Sequence, residues 1–187
     1  MNEAQLKQVI KLCRRHDAAA QKALYKSFYG YIHVLTSRYA SSKEECEEIV
    51  QDVFMKVFTK IDKYNDQLSF QAWIKKIAIN TCIDRFRSKV NEMATFEISI
   101  AEQSGELAES IVNADAEYLL HLVQQLPVSY RTTFNMYAID GYAYHEIAEM
   151  LQVSIGSVKS NLAKARKQLK EKILQAEEKA SIQNKIN

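Results

Sequence analysis

The chain has 187 residues, with 25 Lys and Arg against 23 Asp and Glu, and only 4 Gly and 1 Pro. So little Gly and Pro argues against a hairpin-rich all-β protein, whose turns need positive φ, and against Gly-rich phosphate-binding loops. With 47% hydrophobic and 26% charged residues, the chain is long enough for one ordinary folded domain or two small ones.

The N-terminus, MNEAQLKQVIKLCRRHDAAAQ, has Lys7, Lys11, Arg14 and Arg15 where a signal peptide needs an apolar run. No stretch approaches the ~18 apolar residues of a membrane span, so a cytoplasmic protein is expected. Cys13, Cys46 and Cys82 are odd in number and far apart, and they read as reduced thiols. Cys13 and His16 resemble half of a metal site, but no second pair lies at matching spacing. No cofactor and no catalytic constellation is expected.

Helical patterning covers 3–15 and 19–39, where Ala23, Leu24, Phe28, Tyr31, Ile32 and Leu35 recur at three- and four-residue steps. Ser42 and Glu45 fit a capping box, and the acidic run Glu44, Glu45, Glu47, Glu48 suits the positive end of a helix dipole. Ile49, Val53, Val57 and Ile61 then lie four apart with Phe54 and Phe58 beside them, giving an amphipathic helix of about 18 residues. Its other flank carries Glu48, Gln51, Asp52 and Lys56. Ser69 is a candidate N-cap for a helix from Phe70 to about Ser88, with an apolar stripe of Phe70, Trp73, Ile74, Ile77 and Ala78. Lys76, Asn80, Asp84 and Arg87 share a second stripe, which suits either a nucleic-acid strand or an ordinary solvated face.

The segment EMATFEISIAEQSGELAES lacks a long apolar period and reads as a linker. Beyond it, Leu119, Leu120, Leu122, Val123 and Leu126 form a helix closed by Pro127. Residues 128–139 form another, ended by Asp140-Gly141, with Gly141 placed as a left-handed cap. The segment YHEIAEMLQVSIGSVKSNLAKARKQLKEKI then gives a short helix with Ile147, Ala148 and Leu151 inward. A three-residue turn follows with Val153 buried, and Ser154 caps a longer helix with Val158 and Leu162 inward. This is the pattern of a helix-turn-helix, whose second helix enters a major groove by its N-terminal end. Ser157, Lys159, Ser160, Asn161, Ala163, Lys164, Arg166 and Lys167 stand on its outer side. Gln152 occupies the turn position where Gly is usual, so a left-handed conformation there costs ~1 kcal/mol.

Charge is segregated. Residues 70–91 carry net +4, residues 92–126 carry net −7 with no Lys or Arg, and residues 154–187 carry net +5. Basic segments of this kind are the usual footprint of nucleic-acid binding, because neutralised phosphates release counterions. An all-α chain of two small helical domains follows: 1–90, an acidic linker at 91–112, and 113–187.

Three stretches together resemble the extracytoplasmic-function (ECF) class of bacterial RNA polymerase sigma factors: EEIVQDVFMKVF at 47–58, FQAWIKKIAINTCIDRFR at 70–87, and LPVSYRTTFNMYAIDGYAYHEIAEMLQVSIGSVKSNLAKARKQL at 126–169. The resemblance implies an alternative sigma factor that binds core RNA polymerase and directs it to promoters. It implies that Gln51, Asp52, Phe54, Lys56 and Val57 meet polymerase. It implies that Asn80 helps hold an unstacked base of the −10 element, with Lys76, Arg85 and Arg87 on strand phosphates and Asp84 beside them or orienting an Arg. Trp73 goes mainly to the core. Lys159, Ser160 and Ala163 would read the −35 element, with Ser157, Lys164, Arg166 and Arg131 holding the backbone. The acidic linker would thread the basic RNA-exit path of polymerase, and an anti-sigma factor, membrane-anchored in some relatives, would mask both domains. The competing reading is a helix-turn-helix regulator that acts without joining polymerase.

Overall fold

The computed structural model of the chain describes the backbone of residues 1–95 and 114–186 and the side chains of residues 1–90 and 118–175. The chain divides into two compact units, Met1–Phe96 and Glu97–Asn187. Among the described residues every regular element is helical.

The first unit consists of α1 (Glu3–Cys13), α2 (Ala18–Ser37), α3 (Lys43–Lys60), a 3₁₀ turn (Ile61–Lys63) and α4 (Phe70–Thr95). Short polar side chains set the starts. Asn2 Oδ1 accepts from Gln5 N–H at 2.9 Å while Gln5 Oε1 accepts from Asn2 N–H at 3.0 Å, a reciprocal capping box. Asp17 caps α2 through Ala20 N–H at 2.8 Å, and Ser69 caps α4 through Ala72 N–H at 3.3 Å. At α3, Ser42 Oγ accepts from Glu45 N–H as the pattern predicts, but the Glu45 carboxylate reaches one residue further back, to Ser41 N–H at 2.7 Å.

α2 packs against α1, α3 and α4, and α3 packs against α4. Leu24, Ile32, Ile49, Val50, Val53, Val57, Ile74, Ile79 and Ile83 fill the space between them, each 2% exposed or less. Full burial of such a side chain stabilises by about 1.5–3 kcal/mol relative to exposure. Below them Tyr64, Phe70 and Trp73 form an aromatic cluster with centroids 5.1–5.5 Å apart, so Trp73 is a packing residue. Arg14 joins the end of α1 to the loop before α4. It makes a two-pronged pair with Asp66 at 2.9 and 3.0 Å and donates to Tyr64 O at 2.7 Å. α4 runs seven residues past Ser88, so the first residues of the expected linker, 91–95, are helical. The rest of the expected linker, 96–112, lies outside the described residues.

The second unit contains α5 (Ala114–Gln124), α6 (Val128–Phe134), a π turn (Asn135–Ile139), α7 (Tyr144–Leu151) and α8 (Ile155–Ile186). α5, α6 and α7 all pack on α8. Leu122, Val123, Leu126, Ala165 and Leu169 form one buried cluster, covered by Tyr130, Phe134 and Ile173. Pro127, which lacks an N–H, separates α5 from α6. The helix expected over 128–139 widens into a π turn at its end, where the N–H of Asp140 bonds to Asn135 O at 2.9 Å and that of Tyr142 to Met136 O at 3.0 Å. Gly141 then reverses the chain at φ +81°.

Candidate nucleic-acid interface

On the first unit, α4 carries two different polar faces. Lys76 and Asn80 are one turn apart and both exposed. Asp84 and Arg87 continue that stripe, with Arg87 Nη1 3.9 Å from Asp84 Oδ1. Asp84 also accepts from Lys56 Nζ of α3 at 2.9 Å, so a residue expected to meet polymerase and one expected near the −10 strand are ion-paired with each other. Arg85 lies on the other side of α4. It hydrogen-bonds to Glu48 and sits 4.0 Å from Glu45 of α3. Lys89 pairs with the same Glu45 at 2.6 Å. Burial opposes ionisation of Glu45, yet Lys89 and the Ser41 N–H outweigh it and hold the carboxyl below its usual range. Arg85 is thus paired with α3 carboxylates while its side chain stays 38% exposed.

Two expected contacts on α3 are corrected by burial. Phe54 is 3% exposed and Val57 is 0% exposed. Phe54 packs against Tyr25 with centroids 4.5 Å apart and ring planes tilted by 49°. Both residues hold α3 in place and offer no surface, whereas Gln51 and Asp52 are exposed and Lys56 is half-buried.

On the second unit, Ile147, Ala148 and Leu151 of α7 and Val158 and Leu162 of α8 are buried together. Small Ala148 leaves room for the crossing of the two helices. The connection spans residues 152–154, with Gln152 at φ 57° and ψ 43°, a left-handed residue that is not Gly. Ser154 caps α8 by accepting from Ser157 N–H at 3.0 Å. Val153 is 38% exposed, not buried; the turn closes through the Val153 N–H, which bonds to Ala148 O at 3.0 Å, and needs no apolar plug. Ser157, Lys159, Ser160, Ala163, Lys164 and Arg166 are all exposed. Arg131 is not available to a DNA backbone. It is 3% exposed, and its Nη1 donates to Gln124 O at 2.8 Å, closing the corner between α5 and α6.

Comparison with known proteins places both units. Residues 24–92 match the Sigma-70 region 2 family, and residues 116–169 match the Sigma-70, region 4 family. Over nearly the whole chain it is 29% identical to the ECF RNA polymerase sigma factor SigW of Bacillus subtilis, across 91% of this chain and 98% of that protein. The chain belongs to the sigma-70 family. It is a sigma factor of the ECF class, a transcription initiation factor and not an enzyme. It is also 26% identical to the RNA polymerase sigma-H factor of Pseudomonas aeruginosa, across 89% of this chain and 92% of that one. The fold resembles that of the sigma factor RpoE from Bartonella quintana, solved with the anti-sigma factor NepR, at TM-score 0.52 and 21% identity over 80% of this chain.

Residues outside the expected contacts complete these surfaces. In region 2 they are Glu45 and Glu48, legible in the sequence only as helix-start and flank acids, and Lys89; together they tie the acidic start of α3 to the basic half of α4. In region 4 they are three tyrosines facing the α8 cations. Lys159 Nζ lies 5.9 Å from the Tyr144 ring centroid, Lys164 Nζ 5.7 Å from that of Tyr130, and the Arg166 guanidinium 5.6 Å from that of Tyr137. Tyr137 and Tyr144 stack with centroids 4.9 Å apart and planes at 15°. The neighbouring Tyr137 hydroxyl holds the Tyr144 phenol above its ordinary pKa. These partners lie on different elements, so no local spacing announces them.

Proposed function

We propose that the region 2 unit joins core RNA polymerase through the exposed face of α3, with Gln51, Asp52 and Lys56 as contacts. Lys76 and Asn80 on α4 then hold the opened strand of a −10 element, Lys76 on phosphate and Asn80 on an unstacked base, which offsets the few kcal/mol that unstacking costs. The region 4 unit places α8 in the major groove of a −35 element. Lys159 and Ser160 meet base edges there, the Ala163 methyl meets a thymine methyl, and Ser157, Lys164 and Arg166 hold phosphates. The observation that carries this reading is the helix-turn-helix itself: six of these residues are exposed on one short run of α8, while Val158, Leu162 and Ala165 between them bury.

The working compartment in this reading is the cytoplasm, and among the described residues no helix is long and apolar enough to cross a membrane. An anti-sigma factor is part of it, supported by the RpoE–NepR complex named for the structural relative. The domain limits 1–90, 91–112 and 113–187 belong to the same reading, with the acidic segment passing through polymerase. The test is co-purification of the full chain with core polymerase, followed by footprinting on promoter DNA. Retention on core polymerase with protection centred near −10 and −35 is expected. Tight binding to duplex DNA without any association with core polymerase contradicts it.

A further inference from the structure

Three cations of α8 differ from the ion-paired cations of this protein in what stands beside them. Lys7 faces Glu3, Lys56 faces Asp84, and Lys89 faces Glu45. Among the described residues, Lys159, Lys164 and Arg166 have no carboxylate within ion-pair distance; each has a tyrosine ring instead. Two of those rings, Tyr137 and Tyr144, are stacked on one another, and they come from the π turn and the first residue of α7. A ring face attracts a cation without neutralising it, so the charge stays available to a phosphate or a base edge. A long side chain that already rests in one place loses less freedom when it binds.

We propose that Tyr144, Tyr137 and Tyr130 are positioning residues of the −35 interface: they hold Lys159, Arg166 and Lys164 in their DNA-binding orientations, and the Tyr137–Tyr144 stack is a rigid platform for the first two. The proposal rests on the reading of α8 as the −35 reader.

The experiment uses holoenzyme assembled from the full chain and core polymerase. Duplexes with a randomised window are selected by the wild-type holoenzyme, and the winning duplex becomes the probe for all variants over a KCl series. Tyr144→Leu removes the ring face and keeps apolar bulk; Tyr144→Phe keeps the ring. Tyr144→Leu is expected to weaken binding about threefold. Tyr144→Phe is expected to bind like wild type, and in a Lys159→Ala background Tyr144→Leu is expected to have no further effect. Circular dichroism melting identifies any variant that fails to fold, and Tyr137→Leu with Arg166→Ala gives a second cycle of the same design. Wild-type binding by Tyr144→Leu, or an undiminished loss in the Lys159→Ala background, overturns the proposal and leaves the −35 reading intact. No effect of Lys159→Ala itself overturns both.

Discussion

On α4 the cations Arg85 and Lys89 are answered by the α3 carboxylates Glu48 and Glu45, whereas on α8 Lys159, Lys164 and Arg166 are answered by tyrosine rings. The net charges of the two basic segments are similar, yet their uses differ. A cation paired with a carboxylate across two helices is partly committed to bracing them; a cation held over a ring keeps its charge for a partner. Basic composition in region 2 therefore overstates the surface available to nucleic acid, and the exposed stripe narrows to Lys76 and Asn80 with the Asp84 and Arg87 pair beyond them. In region 4 composition is a better guide, because among the described residues Lys159, Lys164 and Arg166 on α8 have no carboxylate beside them and are left to act outward.

The largest expected effect tests whether the two units are separate folding bodies. Leu162→Ala empties a site that is 2% exposed in the second core and should cost about 2–5 kcal/mol. Hydrogen exchange should show the loss in 114–175 and leave 1–90 unchanged; an equal loss in both makes them one cooperative body. Next, Lys159→Ala should change promoter ranking by about 1–3 kcal/mol between favoured and disfavoured sites. Asp52→Ala should weaken core binding and leave the ranking as it was. Competition transcription on mixed templates separates the two, and an equal loss on every promoter from Lys159→Ala removes its base-reading role.

Glu45→Gln probes the carboxylate bracing of region 2 and should cost about 1–2 kcal/mol by urea unfolding, since it weakens the bond from Lys89. Its pH dependence has a definite sign. The folded pKa lies below the ordinary 4.5, so the stabilisation is complete above that value and is lost as pH falls through the folded pKa. The difference between wild type and Glu45→Gln should be constant near neutrality and shrink in acid; a difference that grows in acid contradicts the bracing. The smallest effect belongs to the turn. Gln152→Gly should raise the stability of region 4 by up to ~1 kcal/mol, because Gly adopts the left-handed conformation without strain.

Much of this fold is legible because its signals are local. Ser42, Ser69 and Ser154 mark helix starts, Gly141 marks a reversal, and the left-handed Gln152 follows from the spacing of the helix-turn-helix. Val57 shows where two kinds of reading competed. It belongs to the stripe Ile49, Val53, Val57, Ile61, which buries, while motif resemblance alone placed it on a surface. Periodicity reports the face of a helix and a motif does not. Arg131 could not be placed from sequence, since its burial depends on a carbonyl across the Pro127 corner. The tyrosine partners of α8 and the α3–α4 ion pairs were illegible for the same reason: they join elements that only packing brings together.

The most direct measurement of the central claim is run-off transcription by core polymerase with and without this chain, on a template pool selected by the holoenzyme. The account predicts specific run-off products that require the chain, keep their start sites in Arg85→Gln and Arg131→Gln variants that still fold, and change identity in Lys159→Ala. Transcription that ignores the chain, or start sites that shift with Arg85 or Arg131 and not with Lys159, contradicts it.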